Sequence, residues 1–254
     1  MTDSKIIKEL EQVGAASWLA REIEFFGGWQ LRANDGVTRR ANSVLPIESP
    51  ECSLEKSIEY VVDFYKSKNI IPRFQMTEIS LPLELDDVLV DSGWDYGLEV
   101  AIEVADVEKV LENRTDVRIE FQSHPSEEWM NAYILGSEHK DKDPSVRPAL
   151  MTRSPMKKVF ASSIIDDEIA SVGLGILNGD WIGLYSIATH PEYRRQKAGV
   201  SVSQALVSWG KDNHANRSYL QVETDNIPAK RMYSQLGFKN CYTYWYRYYD
   251  VEKE

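Results

Sequence analysis

A strand that runs into a basic, glycine-containing turn and then into a helix constrains this chain more than any other feature. Apolar residues 184–188 (LYSIA) predict the strand, and 189–199 (THPEYRRQKAG) the turn. An amphipathic helix follows from about Val200. At such a helix start, unpaired backbone N–H groups and the positive end of the helix dipole converge, which suits a diphosphate. The segment therefore predicts a site for a nucleotide-containing cofactor.

Composition limits the class of protein and of partner. The chain has 254 residues, 43% of them hydrophobic, which is enough for one large core or two smaller ones. A net charge of -11 argues against nucleic acid as the main partner, because such binding relies on clustered Lys and Arg. No window approaches the roughly 20 apolar residues of a membrane span. We therefore expect a soluble globular protein with neither a nucleic-acid nor a membrane partner.

The cysteines and the N-terminus favour the cytoplasm. Cys52 and Cys241 lie far apart and lack metal-ligand spacing, so neither a disulfide framework nor a zinc site is indicated. The first residues (MTDSKIIKELEQVG) are polar and charged, without the apolar segment of a secretion signal. We expect a cytoplasmic protein without a metal, as a monomer or homodimer.

The two halves of the chain show a similar order of predicted elements. The first half is predicted to contain a hairpin, a helix, a strand, a helix and a strand, at 28–44, 54–66, 70–76, 83–90 and 96–104. The second half has a helix from about Val200, strand 219–223, helix 229–236 and strand 242–249. This parallel predicts a weak internal duplication with domains 1–112 and 113–254, of which the first serves packing or substrate binding.

Further elements are predicted ahead of the basic turn. A strand at 117–122 precedes a helix at 126–135 with Ser126 as its N-cap. The charged segment 138–148 (EHKDKDPSVRP) is predicted to be a loop. A three-stranded meander follows, with strands at 157–165, 169–177 and 181–188.

The pattern TxPxYRRxxxG after an apolar strand continues with Asn226, Ala229, Tyr233, Gly237 and Phe238. This combination resembles the GNAT superfamily of acyl-CoA-dependent N-acyltransferases, over roughly 117–249. The resemblance implies an α/β GNAT fold, in which a central, mixed and mostly antiparallel sheet is flanked by helices. It also implies a tandem arrangement of a degenerate N-terminal and a complete C-terminal GNAT-like domain.

The resemblance implies acetyl-CoA as co-substrate. It assigns binding of acetyl-CoA to Ile187, Ala188, Thr189, Arg194, Arg195, Gln196, Lys197, Ala198, Gly199, Val200, Ser201, Asn226 and Tyr233. Amides of residues 196–201 would bind the diphosphate, and Gly199 would keep that backbone accessible. One departure is Lys197, where the family pattern has glycine. If this position needs a positive φ, lysine costs on the order of 1 kcal/mol relative to glycine, which contact with a phosphate would offset.

Two residues are candidates for catalysis. The resemblance places Tyr233 beside the coenzyme A sulfur, where a phenol protonates the leaving thiolate as general acid. A buried core aromatic is the alternative for an arbitrary tyrosine. Glu223 on strand 219–223 is the candidate general base, and a solvent-facing strand residue is its alternative. Asn226 is also suited to cap the helix that begins near Pro228.

Three functions remain open from the sequence. The first is an N-acetyltransferase that transfers the acetyl group of acetyl-CoA to a primary amine of a small metabolite, such as an amino acid. The second is a non-catalytic acyl-CoA-binding module. The third is a protein acetyltransferase that acts on a lysine or an N-terminus, for which the acidic surface suits basic targets.

Overall fold

The computed structural model describes residues 2–137 and 145–250 of the chain. Up to residue 106 the elements are α1 Ser4–Ser17, β1 Glu22–Phe26, β2 Trp29–Ala33, β3 Val44–Leu45, α2 Leu54–Lys66, β4 Arg73–Met76, α3 Leu85–Asp91 and β5 Asp95–Asp106. From residue 107 they are α4 Val107–Val110, β6 Arg118–Gln122, α5 Glu127–Ser137, α6 Val146–Arg153, β7 Lys158–Ile165, β8 Glu168–Asn178, β9 Trp181–Thr189, α7 Ala198–Asp212, β10 Arg217–Glu223, α8 Ile227–Gln235 and β11 Lys239–Tyr248. A short 3₁₀ turn, Pro191–Tyr193, lies between β9 and α7.

The chain forms two compact units. The first comprises residues up to Val100 together with the chain from Tyr242, and the second runs from Ala101 to Cys241. Strands β5 and β11 therefore each contribute a segment to both units. The duplication with domains 1–112 and 113–254 stays a prediction.

The first unit is a sheet covered by amphipathic helices. Its strands lie in the order β1-β2-β3-β4-β11-β5. The pairs β1/β2, β2/β3 and β4/β11 are antiparallel, and β3/β4 is parallel. On α2, the buried residues Ile58, Val61 and Tyr65 are spaced by three and four, so they share one face of the helix. That face packs with Phe74 of β4 into the core of this unit.

The predicted hairpin at 28–44 is present, with a shorter strand pair and a longer connection than the sequence predicts. Strand β2 pairs with β1 over its whole length, and β3 contributes only two residues on its other side. The predicted turn forms, since the Val37 amide donates to the Asn34 carbonyl at 3.0 Å and both Asp35 and Gly36 have positive φ. A loop to residue 43 then follows the turn before β3 begins. The buried Asn42 side chain accepts from the Asn34 and Gly36 amides, at 2.7 and 3.0 Å, and donates to the carbonyls of Val37 and Thr38. One side chain thus replaces the hydrogen bonds that a longer strand pair would supply.

The second unit carries the meander predicted from the sequence. Its strands lie in the order β5-β10-β9-β8-β7-β6, with β9/β10 parallel and the meander antiparallel. Helix α7 packs Val202 and Leu206 into a core with Ile182 of β9. Trp129 of α5 packs edge-on against Phe160 of β7, whose neighbours Val159 and Ala161 belong to the α7 core. Since successive strand residues face opposite sides, α5 and α7 cover opposite faces of this sheet.

Several local predictions can be compared directly. Ser126 accepts a hydrogen bond from the Trp129 amide, as expected of an N-cap. Of the predicted loop at 138–148, residues 138–144 lie outside the described residues, and α6 begins at Val146. Within the described ranges, no helix combines the length and the apolar character needed to cross a bilayer. The same residues include no group of three His, Cys, Asp or Glu side chains placed to hold a metal ion.

Candidate active site

Strands β9 and β10 separate where the sequence predicts a cofactor site. Their parallel register runs from Trp181 with Arg217 to Leu184 with Leu220. Beyond that pair, β9 continues to Thr189 and β10 to Glu223 without further register between them. The pairing of these two neighbouring parallel strands thus ends at Leu184 and Leu220, before the carboxyl end of either strand.

A bulge in β9 directs the backbone beyond this last pair. Val172 of β8 is opposite Ala188, but Leu174 is opposite Tyr185, so β9 carries one extra residue in this stretch. Ser186, within the bulge, has a φ of 52°, which is unusual for a residue with a side chain. Bulges bend a strand and re-aim its groups. The backbone of Ile187 and Ala188 is therefore displaced from the line of an ordinary β9/β10 pair.

The basic turn that follows β9 ends at the first turn of α7. Arg195 and Lys197 both have positive φ, of 65° and 63°. Lys197 is the N-cap residue of α7, and its side chain makes no capping hydrogen bond. The helix has 15 residues, and its amide at Ser201 bonds the Lys197 carbonyl at 2.9 Å. The preceding amides in this first turn have no acceptor within the helix, so they point out along its axis.

The charges around this turn favour an anion. Side chains at 194–197 (RRQK) are exposed. They add three positive groups beside the helix N-terminus, where the dipole also favours negative charge. Lys197, which stands where the family pattern has glycine, does have a positive φ. The strain of a lysine in this conformation is therefore present in the folded chain.

Gly199 serves close packing of the helix start. Its φ is not positive, and it is buried inside α7. A Cβ there would lie 3.0 Å from Oγ1 of Thr189 and 3.1 Å from Sδ of Met232. Glycine therefore lets α7 approach the end of β9 and the side chain of α8 at the same time.

Tyr233 lies on α8, on the side of the sheet that α7 covers. It is 7% exposed and belongs to the apolar cluster that contains Leu184 and Leu220, the last registered pair of β9 and β10. Its ring packs against Phe238 at 5.8 Å. Burial, and then the negative charge of Glu103, raise the pKa of Tyr233 well above its ordinary value. The phenol is protonated at neutral pH and has a proton to donate.

Asn226 and Glu223 occupy the segment between β10 and α8. The Asn226 side chain accepts from the Ala229 amide at 3.2 Å, which is the capping role expected of it. Glu223 is exposed at the end of β10. Val222 faces the cluster of Tyr233, so by strand alternation Glu223 points to the opposite face. The structure therefore does not bring the two candidate catalytic residues onto one face.

One residue close to Tyr233 was missed by sequence reasoning. Glu103 of β5 is 5% exposed, and its charge acts on Tyr233. It lies in the part of the sequence assigned to the first domain, far along the chain from Tyr233, so no local pattern connects the two residues. The available signal was a lone carboxylate between Ala101 and Ala105 in an apolar strand.

A profile of the family described as "Probable histone acetyltransferase Rv0428c C-terminal" matches residues 4–249 of the chain. The chain belongs to this family. Among curated relatives of this family member, the "Uncharacterized N-acetyltransferase YobR" of Bacillus subtilis is 29% identical over 246 residues, covering 95% of this chain and 98% of the relative. The "Probable histone acetyltransferase Rv0428c" of Mycobacterium tuberculosis is 24% identical over 256 residues, covering 94% of this chain and 74% of the relative.

Several solved structures have the same fold as this chain. A GCN5-related N-acetyltransferase from Kribbella flavida has a TM-score of 0.69 at 14% identity, covering 94% of each chain. A "Tandem GNAT protein from the clavulanic acid biosynthesis pathway" has a TM-score of 0.56 at 12% identity, covering 73% of this chain and 66% of the other. The predicted GNAT fold and enzyme class are confirmed: the chain is a GNAT-type N-acetyltransferase. Use of acetyl-CoA is what this family implies.

Proposed function

We propose that the enzyme transfers the acetyl group of acetyl-CoA to a primary amine of a small metabolite, such as an amino acid. The observation that supports this most is the divergence of β9 and β10 beyond Leu184 and Leu220, next to the open first turn of α7. Strand edges left unpaired in this way are suited to an extended pantetheine arm that binds as an added strand, and the helix start is suited to a diphosphate.

In this proposal, the diphosphate binds the amides at the start of α7, with Arg194, Arg195 and Lys197 supplying positive charge. As the family resemblance implies, Gln196 and residues 198–201 make further contacts with the cofactor. Asn226 contacts the pantetheine arm. The bulged backbone of Ile187 and Ala188, followed by Thr189, lies against the thioester. An N–H group from this segment donates to the carbonyl oxygen, where negative charge develops during attack.

The reaction follows from these positions. The amine nitrogen attacks the thioester carbon, and the carbonyl electrons move to the oxygen, which the β9 amide stabilises. As the tetrahedral intermediate collapses, the C–S bond breaks and the Tyr233 O–H donates its proton to the leaving sulfur. Glu223 is the proposed acceptor of the proton lost by the amine. In this proposal Glu223, on the face opposite to Tyr233, takes the proton from the attacking amine, while Tyr233 protonates the leaving sulfur.

The first test measures binding and turnover separately. Titration calorimetry with acetyl-CoA reports affinity, and release of free thiol across a panel of amino acids and small amines reports transfer. We expect Tyr233→Phe to bind acetyl-CoA with near-parental affinity and to lose about 10-fold or more in rate, because general-acid catalysis contributes at least this much. Tyr96→Phe, at an exposed site, is the matched control. A Tyr233→Phe enzyme with the parental rate removes Tyr233 from the mechanism.

A protein substrate is the second candidate, and two observations favour it. One relative carries the name of a probable histone acetyltransferase, and the net charge of -11 suits basic targets. Incubation of the enzyme with acetyl-CoA and purified histones, then with a cell lysate, followed by mass spectrometry of acetylated lysines and N-termini, distinguishes the two. Acetylated protein, without thiol release for any amine in the panel, would favour this candidate over a small metabolite.

Three expectations from the sequence stay proposals. These are a cytoplasmic location, a monomeric or homodimeric state, and a role of the first unit in packing or substrate binding. Light scattering on the purified chain measures the oligomeric state directly.

A further inference from the structure

Glu103 is a buried carboxyl group without an adequate partner. It is 5% exposed, and within the described residues its Oε2 atom has no hydrogen-bond partner. Its neighbours on the same strand face, Ala101 and Ala105, pack in the apolar cluster that contains Tyr233. Burial of an unsatisfied carboxyl group is unfavourable, so such a group calls for a reason beyond packing.

Helix α8 presents two titratable groups to Glu103. Lys230 and Tyr233 are three residues apart, so they lie on one face of the helix. Burial raises the pKa of Glu103, and the Lys230 ammonium opposes this shift. From β10, the residues that share this cluster are the apolar Leu220 and Val222, and from the end of α8 and beyond they are Leu236 and Phe238. Among the described residues, Lys230 and Tyr233 are thus the titratable groups facing Glu103.

Once Tyr233 has protonated the leaving sulfur, its phenol needs a proton to replace the one that it donated. A thiol has an ordinary pKa near 8.5 and a phenol near 10, so a phenol protonates a thiolate uphill. In Tyr233 this difference is larger, because burial raises the pKa of the phenol further. A carboxylic acid is a far stronger acid than a phenol. An acid behind Tyr233 would make the net transfer to sulfur favourable.

We propose that Glu103 is a positioning residue that stores the proton passed through Tyr233 to the leaving sulfur. In its acid form, Glu103 donates a hydrogen bond to the phenol oxygen, which leaves the phenol O–H directed away toward the thioester. As the C–S bond breaks, the Tyr233 O–H bond breaks and an S–H bond forms. The Glu103 proton moves to the phenol oxygen in the same event, and a proton from solvent restores the carboxylic acid before the next turnover.

Glu103 and Tyr233 are not hydrogen-bonded to each other in the structure. Catalytic hydrogen bonds often shorten when substrate binds, directly or through one water. After the transfer, the carboxylate of Glu103 also favours a protonated Tyr233, because its negative charge opposes formation of a phenolate. This inference rests on the proposed role of Tyr233 as general acid.

The test compares kcat and KM for acetyl-CoA between pH 5.5 and 9 in four chains: the parent, Glu103→Gln, Tyr233→Phe and the double variant. The amine is the best substrate from the panel described above, at saturation. Glutamine keeps the shape of the side chain but has no acidic proton. We expect Glu103→Gln to lose about 10-fold in kcat with KM unchanged. The loss should be largest at the acid end and shrink as pH rises through the Glu103 pKa, because the parent then loses the same proton.

The double variant shows whether Glu103 acts through Tyr233. If it does, adding Glu103→Gln to Tyr233→Phe causes no further loss of rate. Glu103→Asp retains the acid, one methylene shorter, and should recover part of the rate together with the pH dependence. Glu112→Gln, in which an exposed carboxylate is changed in the same way, is the matched control and should behave as the parent.

The outcomes separate this inference from the proposed function. A Tyr233→Phe enzyme with the parental rate ends both, because the general acid is then elsewhere. If Tyr233→Phe is slow but Glu103→Gln has the parental rate and pH profile, only the role of Glu103 is wrong. Equal losses from Glu103→Gln at every pH, additive with those of Tyr233→Phe, would identify a structural role instead. Should Glu103→Gln fail to fold, Glu103→Asp with a partial loss of kcat that shrinks as pH rises supports the proposal, and Glu103→Asp with the parental rate or with the same loss at every pH contradicts it.

Discussion

Leu184 of β9 and Leu220 of β10 are the last registered pair between these parallel strands. Both residues pack in the cluster that contains Tyr233. The position where the sheet opens is therefore tied to the apolar core under α8.

The bulge predicts an unusual response to glycine. Ser186 has a φ of 52°, a conformation in which glycine is unstrained and a β-branched residue is strongly disfavoured. We expect Ser186→Gly to raise the free energy of unfolding by about 0.5–1 kcal/mol and Ser186→Val to lower it by about 1–3 kcal/mol. Urea unfolding measures both. Ser162→Gly, in regular strand β7, is the control and should destabilise. Loss of stability in Ser186→Gly would contradict the bulge geometry.

Strain and charge at Lys197 can be separated by two substitutions. Glycine removes both the lysine charge and the cost of positive φ, whereas alanine removes only the charge. We expect Lys197→Gly to gain about 1 kcal/mol of stability, and Lys197→Ala to gain nothing. Both should bind coenzyme A about 2- to 5-fold more weakly, as for loss of one exposed ion pair. Parental affinity in both variants would show that the ammonium does not contact a phosphate.

The contact between α7 and β9 leaves no room at Gly210. A Cβ there would lie 2.6 Å from the Cβ of the buried Ile182, which cannot move without its strand. We expect Gly210→Ala to lower the free energy of unfolding by about 1–3 kcal/mol, despite the better helix propensity of alanine. Gly199→Ala in the same helix is the comparison. It should cost less, because its contacts are the ends of the Thr189 and Met232 side chains. Equal stability of Gly210→Ala and the parent would be evidence against this close packing.

A buried carboxyl group in the first unit predicts a pH effect on stability. Glu11 accepts from Nε2 of Gln75 at 2.6 Å and from the Tyr242 hydroxyl at 2.7 Å, yet burial raises its pKa above the ordinary 4.5. The folded chain then holds this proton more tightly than the unfolded chain. Its contribution to stability is fully present below pH 4.5 and is lost as pH rises through the folded pKa.

Urea unfolding at a series of pH values from 4 to 8 checks this sign. We expect the stability of the parent to decline over the window that begins at the ordinary pKa of Glu11. Glu11→Gln should show a flatter profile there, because it has no proton to lose. Glu59→Gln, at an exposed site of α2, is the matched control. A parent and a Glu11→Gln chain with parallel profiles would contradict the prediction.

The local pattern of the second unit could be predicted because its elements are set by neighbouring residues. The strand alternation in β7, β8 and β9 and the helical spacing in α7 depend on short-range order, and Ser126 and Asn226 act as the caps that their positions indicate. The turn at 34–36 also forms as its residues predict, but the long loop after it was not predicted. That loop depends on the Asn42 side chain, which binds amides six and eight residues away.

The sequence by itself determined the family pattern, the strand, turn and helix that would hold acetyl-CoA, and the phenol proposed to act on its sulfur, because each depends on spacing along a continuous segment. Only the tertiary structure decided which strand of the first half joins the second unit, and with it the position of Glu103 near Tyr233. It also decided that β9 and β10 part at Leu184 and that Glu223 faces away from Tyr233. Sheet order and the facing of side chains across strands arise from burial of long-range partners, which no local pattern records.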